Sequence, residues 1–179
     1  MDRSHLDGTN AAPRQGRGRP SAWISAHAGL VPAGGTVLDL ACGAGRHAAL
    51  FRECGHPVVA VDRDIAGVAD LGAEVVQADL EDGPWPFPHR RFAGIVVTNY
   101  LWRPLLPRIV AAVAPGGALL YETFALGNAR FGRPSNPDFL LRPGELLAAV
   151  AGQLVVRAYF DGETDEPAMR QRIAAVRPG

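Results

Sequence analysis

Residues Val37 to Phe51 read VLDLACGAGRHAALF: an apolar strand, a glycine-bearing turn and the opening of a helix in direct succession. Gly43 and Gly45 have no Cβ, so the backbone there turns sharply and a ligand can come close. A helix opening near Gly45 presents free N–H groups, which suit a carboxylate or a phosphate. The run Gly43-Ala44-Gly45-Arg46-His47-Ala48 also satisfies G-x-G-x-x-A, the fingerprint of a dinucleotide-binding turn. Asp39 separates the two readings. It stands four residues before Gly43 in an otherwise apolar strand, and is expected to place an acid at the mouth of the loop. There it repels a pyrophosphate and attracts an ammonium or sulfonium, through a charge-assisted bond worth about 1.5–3 kcal/mol. The alternative is a buried acid satisfied by backbone N–H groups.

Working outward, strand and helix patterns alternate. Ser21 to Leu30 predicts a short helix with Ser21 as its N-cap. Strands are expected at Thr36–Ala41, Pro57–Asp62, Ala73–Asp79, Ala93–Asn99 and Ala118–Phe124. Helices are expected at Arg46–Cys54, at Asp64–Leu71 with Asp64 as N-cap, around Pro104–Ala114, and at Pro143–Ala151. Two closing strands, QLVVRAYFDG and MRQRIAAVR, are expected to pair as a hairpin. Such alternation predicts an α/β domain with a doubly wound, mostly parallel sheet and helices on both faces. Ala125 to Leu141 has little regular pattern, and loops this long inside a domain are usually lids or binding loops. Residues 1–20, rich in Gly, Pro and Arg, read as a disordered lead-in, leaving 21–179 as a single domain.

The 18 basic residues balance the 18 acidic ones, so no overall field draws nucleic acid or an anionic membrane. Every cation is arginine. The absence of lysine excludes a Walker-type phosphate lysine, a Schiff-base lysine and a Tyr-x-x-x-Lys dehydrogenase dyad. Cys42 and Cys54 form neither a CxxC pair nor a zinc site, so no metal is expected. No disulfide framework is implied, the first residues have no secretory pattern, and no apolar run reaches the ~18–20 residues of a membrane helix. A cytoplasmic protein without a membrane partner is expected.

Asp62 closes the second strand, 17 residues after Gly45, where an acid accepts hydrogen bonds from ribose hydroxyls. Asp79 ends the third strand. Ligands of open α/β sheets bind at the carboxyl ends of strands, so acids at three such ends, Asp39, Asp62 and Asp79, form the most specific signal in the chain. The element D-x-A-C-G-x-G at Asp39–Gly45 resembles motif I of class I S-adenosylmethionine-dependent methyltransferases. The longer run DLACGAGRHAALF…GHPVVAVDRD is similar to the tellurite-resistance methyltransferase group and related small bacterial methyltransferases, from Thr36 to about Phe124.

That resemblance implies a Rossmann-like, seven-stranded sheet with an antiparallel C-terminal strand, S-adenosylmethionine as cofactor and S-adenosylhomocysteine as product. It implies that Asp79 accepts from the adenine amino group while the Leu80 N–H meets a ring nitrogen. Ala41, Gly43, Gly45 and His47 border the cofactor, Arg63 lies at the adenine edge, and Thr98 and Asn99 occupy the motif IV position. Asn99-Tyr100-Leu101 differs from the NPPY of enzymes that methylate amino groups of DNA or protein glutamine. The chain also lacks the acid that such families often carry before the fourth strand, where Phe92-Ala93-Gly94 stands.

Methyl transfer from a sulfonium is an in-line displacement, and positioning alone supplies roughly 7–11 kcal/mol of it. A dedicated base is therefore optional. Glu122 is the candidate base, with Tyr100 beside it. Arg103, Tyr121, Arg133 and Asn136 are candidates for the acceptor, the two arginines as forks for an anion. A small-molecule acceptor is expected, with nucleic acid disfavoured. Two alternatives stand beside it: an NAD(P)-binding oxidoreductase, and an S-adenosylmethionine-binding partner protein without turnover.

Overall fold

A computed structural model describes residues 16–179. Its centre is a seven-stranded sheet in the order β3-β2-β1-β4-β5-β7-β6. The strands are β1 (Val37–Leu40), β2 (Val58–Asp62), β3 (Glu74–Gln77), β4 (Phe92–Thr98), β5 (Val113–Phe124), β6 (Val155–Glu163) and β7 (Met169–Val176). The first five run parallel; β7 lies antiparallel between β5 and β6. The helices are α1 (Ala22–His27), α2 (Arg46–Glu53), α3 (Leu106–Ala111) and α4 (Glu145–Val150).

Side chains alternate across each strand, and this decides which residues reach which face. Leu38, Leu40, Val61, Ile95, Val97, Leu119, Tyr121 and Ile173 pack toward Ile109, Val110, Leu146 and Val150 of α3 and α4. Val37, Val58, Ala60, Val96, Leu120 and Ala174 pack toward Ile24 of α1 and Ala48 and Phe51 of α2. Asp39 shares the parity of Val37, so it points at α2. Glu122 shares that of Leu120, and Arg170 and Arg172 that of Ala174. The same parity turns Tyr121 the other way.

Ser21 caps α1 as expected, accepting from the Ile24 N–H. The expected helix at Asp64–Leu71 does not form. Asp62 Oδ1 accepts from the Asp64 N–H at 3.0 Å and Asp64 Oδ1 from the Ala66 N–H at 3.0 Å, so two successive side-chain turns compete with the helix. Asp64 is therefore a turn former and not an N-cap. The fifth strand begins at Val113 and runs through Pro115-Gly116-Gly117, which had been expected to separate helix from strand. Its pairing with β4 is irregular there, between Phe92 and Gly94.

The loop after β5 forms two short 3-10 turns, Asn128–Arg130 and Pro137–Phe139. Arg103 fastens it: its guanidinium donates to Glu145 Oε1 at 2.7 Å and to the carbonyls of Asp138 and Leu140 at 2.6 and 2.8 Å. Arg103→Ala leaves the half-buried Glu145 carboxylate without its guanidinium. It is expected to cost about 1–2 kcal/mol in urea unfolding and to speed proteolysis within 126–140. Of the expected lead-in, residues 1–15 lie outside the described residues. Gly16 to Pro20 have no regular structure but are held, Arg17 by an ion pair with Asp70. Among the described residues no helix is long and apolar enough to cross a membrane.

Candidate functional site

The chain leaves β1 through Ala41 at φ 53° and enters α2 through Gly45 at φ 77°. A left-handed backbone is costly for alanine, so the turn around Gly43 is imposed by its surroundings. At Gly45 a Cβ would stand 2.6 Å from Leu71 and from Val68. The carboxylate of Asp62 fixes the other side, with Oδ2 accepting from the Gly43 N–H at 2.8 Å. At the tip of β3, Asp79 Oδ1 accepts from the N–H groups of Glu81 and Asp82. Those bonds hold its carboxyl below the usual range despite some desolvation, with Arg63 helping from 3.8 Å. Ala41, Asp62, Arg63, Asp79, Leu80 and Tyr100 enclose a cavity of about 170 Å³.

Asp39 takes the other position weighed for it. It is buried, and Oδ2 accepts from the Ala48 N–H at 2.8 Å, so it anchors the first turn of α2 from beneath. Burial pushes its carboxyl up to about 7, against the pull of that N–H and of Arg46. His47 is also buried. Its Nε2 accepts from the Ser21 N–H at 3.1 Å, which leaves the proton on Nδ1, 3.4 Å from Thr98 Oγ1. Burial, with Arg46 adding to it, lowers this imidazole to about 4. His47 thus joins the N-terminal segment to the tip of β4.

A methyltransferase-domain family model matches residues 14–134. The chain belongs to this family. Ribosomal protein L11 methyltransferase of Bordetella parapertussis is 39% identical over 106 residues, 55% of this chain and 33% of that protein. The chain thus spans about a third of the length of the curated relatives it matches. Among solved structures, TehB from Haemophilus influenzae is similar with TM-score 0.67 and 20% identity, over 87% of this chain and 61% of that one. A TehB-like SAM-dependent methyltransferase from Corynebacterium glutamicum gives 0.63 and 19%, over 88% and 89%. These two likenesses show the fold. The methyltransferase domain uses S-adenosylmethionine as its cofactor, and the dinucleotide reading of the glycine turn is set aside.

The cavity at the tips of β2 and β3 fits that cofactor. Asp62, Asp79 and Glu81 line it against one arginine, a wall suited to hydroxyl and amino donors and hostile to a diphosphate. The Tyr100 hydroxyl is buried without a hydrogen-bond partner. Burial, then Glu81 and Asp79, push this phenol above its usual range. Tyr100 thus lines the cavity with its phenol held in the protonated form.

Two more cavities follow, the first of them sharing Glu81 and Tyr100 with the cavity at β2 and β3. One of about 290 Å³ is mostly apolar, between Leu101, Phe124, Pro134 and Phe139. The other, about 840 Å³, lies on the α1–α2 side of the sheet and takes in Glu122. Asn99 and Phe124 line both. Asn99 is itself left-handed, at φ 54°, and its Oδ1 accepts from Arg170 Nη1 at 2.7 Å.

Glu122, the candidate base, reaches a cavity, whereas the four residues expected to hold the acceptor line none of these three. Tyr121 is 1% exposed on the opposite face and donates its hydroxyl to the Tyr100 carbonyl. The fork of Arg103 is engaged by Glu145 and two carbonyls. Arg133 is exposed, and the Asn136 side chain caps the short turn at Asp138; neither lines the three cavities. The cavity wall holds instead Arg46, Arg170 and Arg172, which the sequence reading did not single out. A signal was available: Arg170-Gln171-Arg172 puts two arginines on one face of a strand, but that face is known only once β7 pairs with β5.

Proposed function

We propose that the chain, with residues 21–179 as one methyltransferase domain, moves a methyl group to a small-molecule acceptor seated in the cavity beside Glu122. The observation that carries this reading is continuity. A nucleoside-sized cavity with acidic walls shares Tyr100 with the apolar cavity, which in turn shares Asn99 and Phe124 with a larger recess that reaches a buried carboxylate. S-adenosylmethionine, when bound, supplies an electrophilic methyl group on a positively charged sulfur. Asp62 and Asp79 would hold the nucleoside, with Leu80 and Tyr100 as its apolar and hydroxyl-bearing walls. Gly43 and Gly45 shape the turn, while Asp39 and His47 act indirectly by fixing α2 and the N-terminal segment.

Glu122 orients the acceptor or takes its proton. Its Oε2 lies 3.0 Å from Arg172 Nε, yet neither atom completes a hydrogen bond, so the carboxylate retains acceptor capacity. Exclusion of water and alignment of the acceptor supply the rest of the rate. Free thiols at Cys42 and Cys54 go with a reducing, cytoplasmic setting.

A second reading, a protein acceptor, is favoured by the stretch shared with the Bordetella protein. Release of S-adenosylhomocysteine decides between them. We expect turnover with a panel of small thiols, amines, carboxylates and phosphates, and none with purified ribosomal protein L11. Turnover with the protein alone overturns the small-molecule reading. Binding of the donor with turnover of neither class points to a partner protein without catalysis.

A further inference from the structure

The recess beside Glu122 has an unusual charge arrangement. Four arginines, Arg19, Arg46, Arg170 and Arg172, line it against three carboxylates. Two of these, Asp165 and Glu166, stand exposed in the turn between β6 and β7. Glu122 is the one buried acid. It is the cross-strand neighbour of Arg172, yet the two meet out of line, and the Arg172 Nε is buried with no hydrogen bond.

Arg170 lies one step along the same strand face, its guanidinium 4.1 Å above the Phe124 ring. Its guanidinium donates to a neutral amide, the Asn99 Oδ1. Arg46 reaches the Arg19 carbonyl at 3.5 Å. Burial draws Arg170 below its ordinary range; Glu122 and Glu166 oppose this, and Arg172 and Arg46 add to it. Guanidinium groups near enough to repel, with forked donors left over, are arranged for an oxyanion. Phe124 and Asn99 also line the apolar cavity, which continues toward Leu101 and Phe139.

We infer that the methyl acceptor is an organic anion whose carboxylate or phosphate is held by Arg170 and Arg172, and whose apolar body lies across Phe124 in the pocket closed by Leu101, Pro134 and Phe139. This rests on the small-molecule reading and gives that acceptor a chemical class. The two arginines are specificity residues: a neutral molecule of the same shape offers their guanidinium groups no charge to meet.

The test is calorimetry on the full chain saturated with S-adenosylhomocysteine, titrated with phenylacetate, phenyl phosphate and the neutral phenylacetamide. At least one anion is expected to bind about tenfold or more tightly than the amide. Arg170→Gln should bring that ratio close to one. So should the double substitution Arg172→Gln with Glu122→Gln, which avoids stranding a buried carboxylate. Equal binding of acid and amide, or binding of neither, overturns the inference.

A parallel arm compares S-adenosylhomocysteine with 5′-methylthioadenosine, which lacks the amino-acid carboxylate. If the arginine substitutions weaken the first nucleoside and spare the second, these residues hold the donor's carboxylate and the inference fails. Absence of S-adenosylhomocysteine binding by the unaltered chain overturns both this inference and the reading beneath it.

Discussion

Asp62→Ala is expected to weaken S-adenosylhomocysteine binding by about 100-fold, the largest affinity change from any single substitution in the chain. The carboxylate has two tasks. It organises the loop, taking the Gly43 N–H on one oxygen at 2.8 Å and the Asp64 N–H on the other at 3.0 Å. Under the proposed function it would also accept the ribose hydroxyls. Hydrogen bonds to a charged group are worth about 1.5–3 kcal/mol each, and 1.4 kcal/mol is tenfold in affinity. Losing two ligand bonds, with part of the loss recovered by water, gives the stated figure. Asp62→Asn keeps one acceptor oxygen and should lose about tenfold. Calorimetry measures both, and an Asp62→Ala affinity within a few-fold of the parent removes this residue from the cofactor site.

A second large effect lies in stability, where two buried groups oppose each other. Asp39 titrates near 7 in the fold against an ordinary 3.8. The folded state therefore holds an extra proton between those values, and the stabilisation from Asp39 is lost as pH rises from about 4 to 7. His47 titrates near 4 against an ordinary 6.5. The unfolded state holds the extra proton there, so its contribution is present above 6.5 and lost as pH falls to 4.

Each slope is about 1.4 kcal/mol per pH unit, with opposite sign. In the parent protein the two nearly cancel between pH 4 and 6.5. Asp39→Asn unmasks the rising slope and His47→Gln the falling one. Subtracting one urea-derived stability curve from the other cancels the remaining titrating groups and should show a divergence of about 6 kcal/mol across that interval, half from each group. Parallel curves would mean that neither group is buried in the form described.

The strands from β1 to β4 were legible because apolar runs of the right length end in polar residues or glycines, and local chemistry suffices to see them. The glycine turn and its acids were legible for the same reason. What the sequence could not show was orientation. Asp39 looked like an acid at a loop mouth, but strand parity turns it beneath α2. Tyr121 and Glu122 are adjacent in sequence and lie on opposite faces of the sheet, so one is core and the other lines a cavity.

Arg103 had the fork expected for an anion, and Glu145, 42 residues away, occupies it. Arg170 and Arg172 became visible only with the register of β7 against β5, a pairing across about fifty residues that no local pattern encodes. Successive Asx turns after Asp62 overrode a helical pattern for the complementary reason: two short-range side-chain bonds outweighed a weak periodicity.

The position of β7 in the strand order affects how the molecule is made. On the ribosome β6 emerges before β7, its neighbour in the sheet, and β5 emerges with one flank open. Neither vacancy closes until Met169 to Val176 have been synthesised. Until then Val155 and Val156, half-exposed even in the finished sheet, belong to a strand with no ladder at all. The nascent chain therefore carries the open flank of β5 while the segment from 125 to 168 is made, and the final insertion joins β6 to the five parallel strands at a stroke.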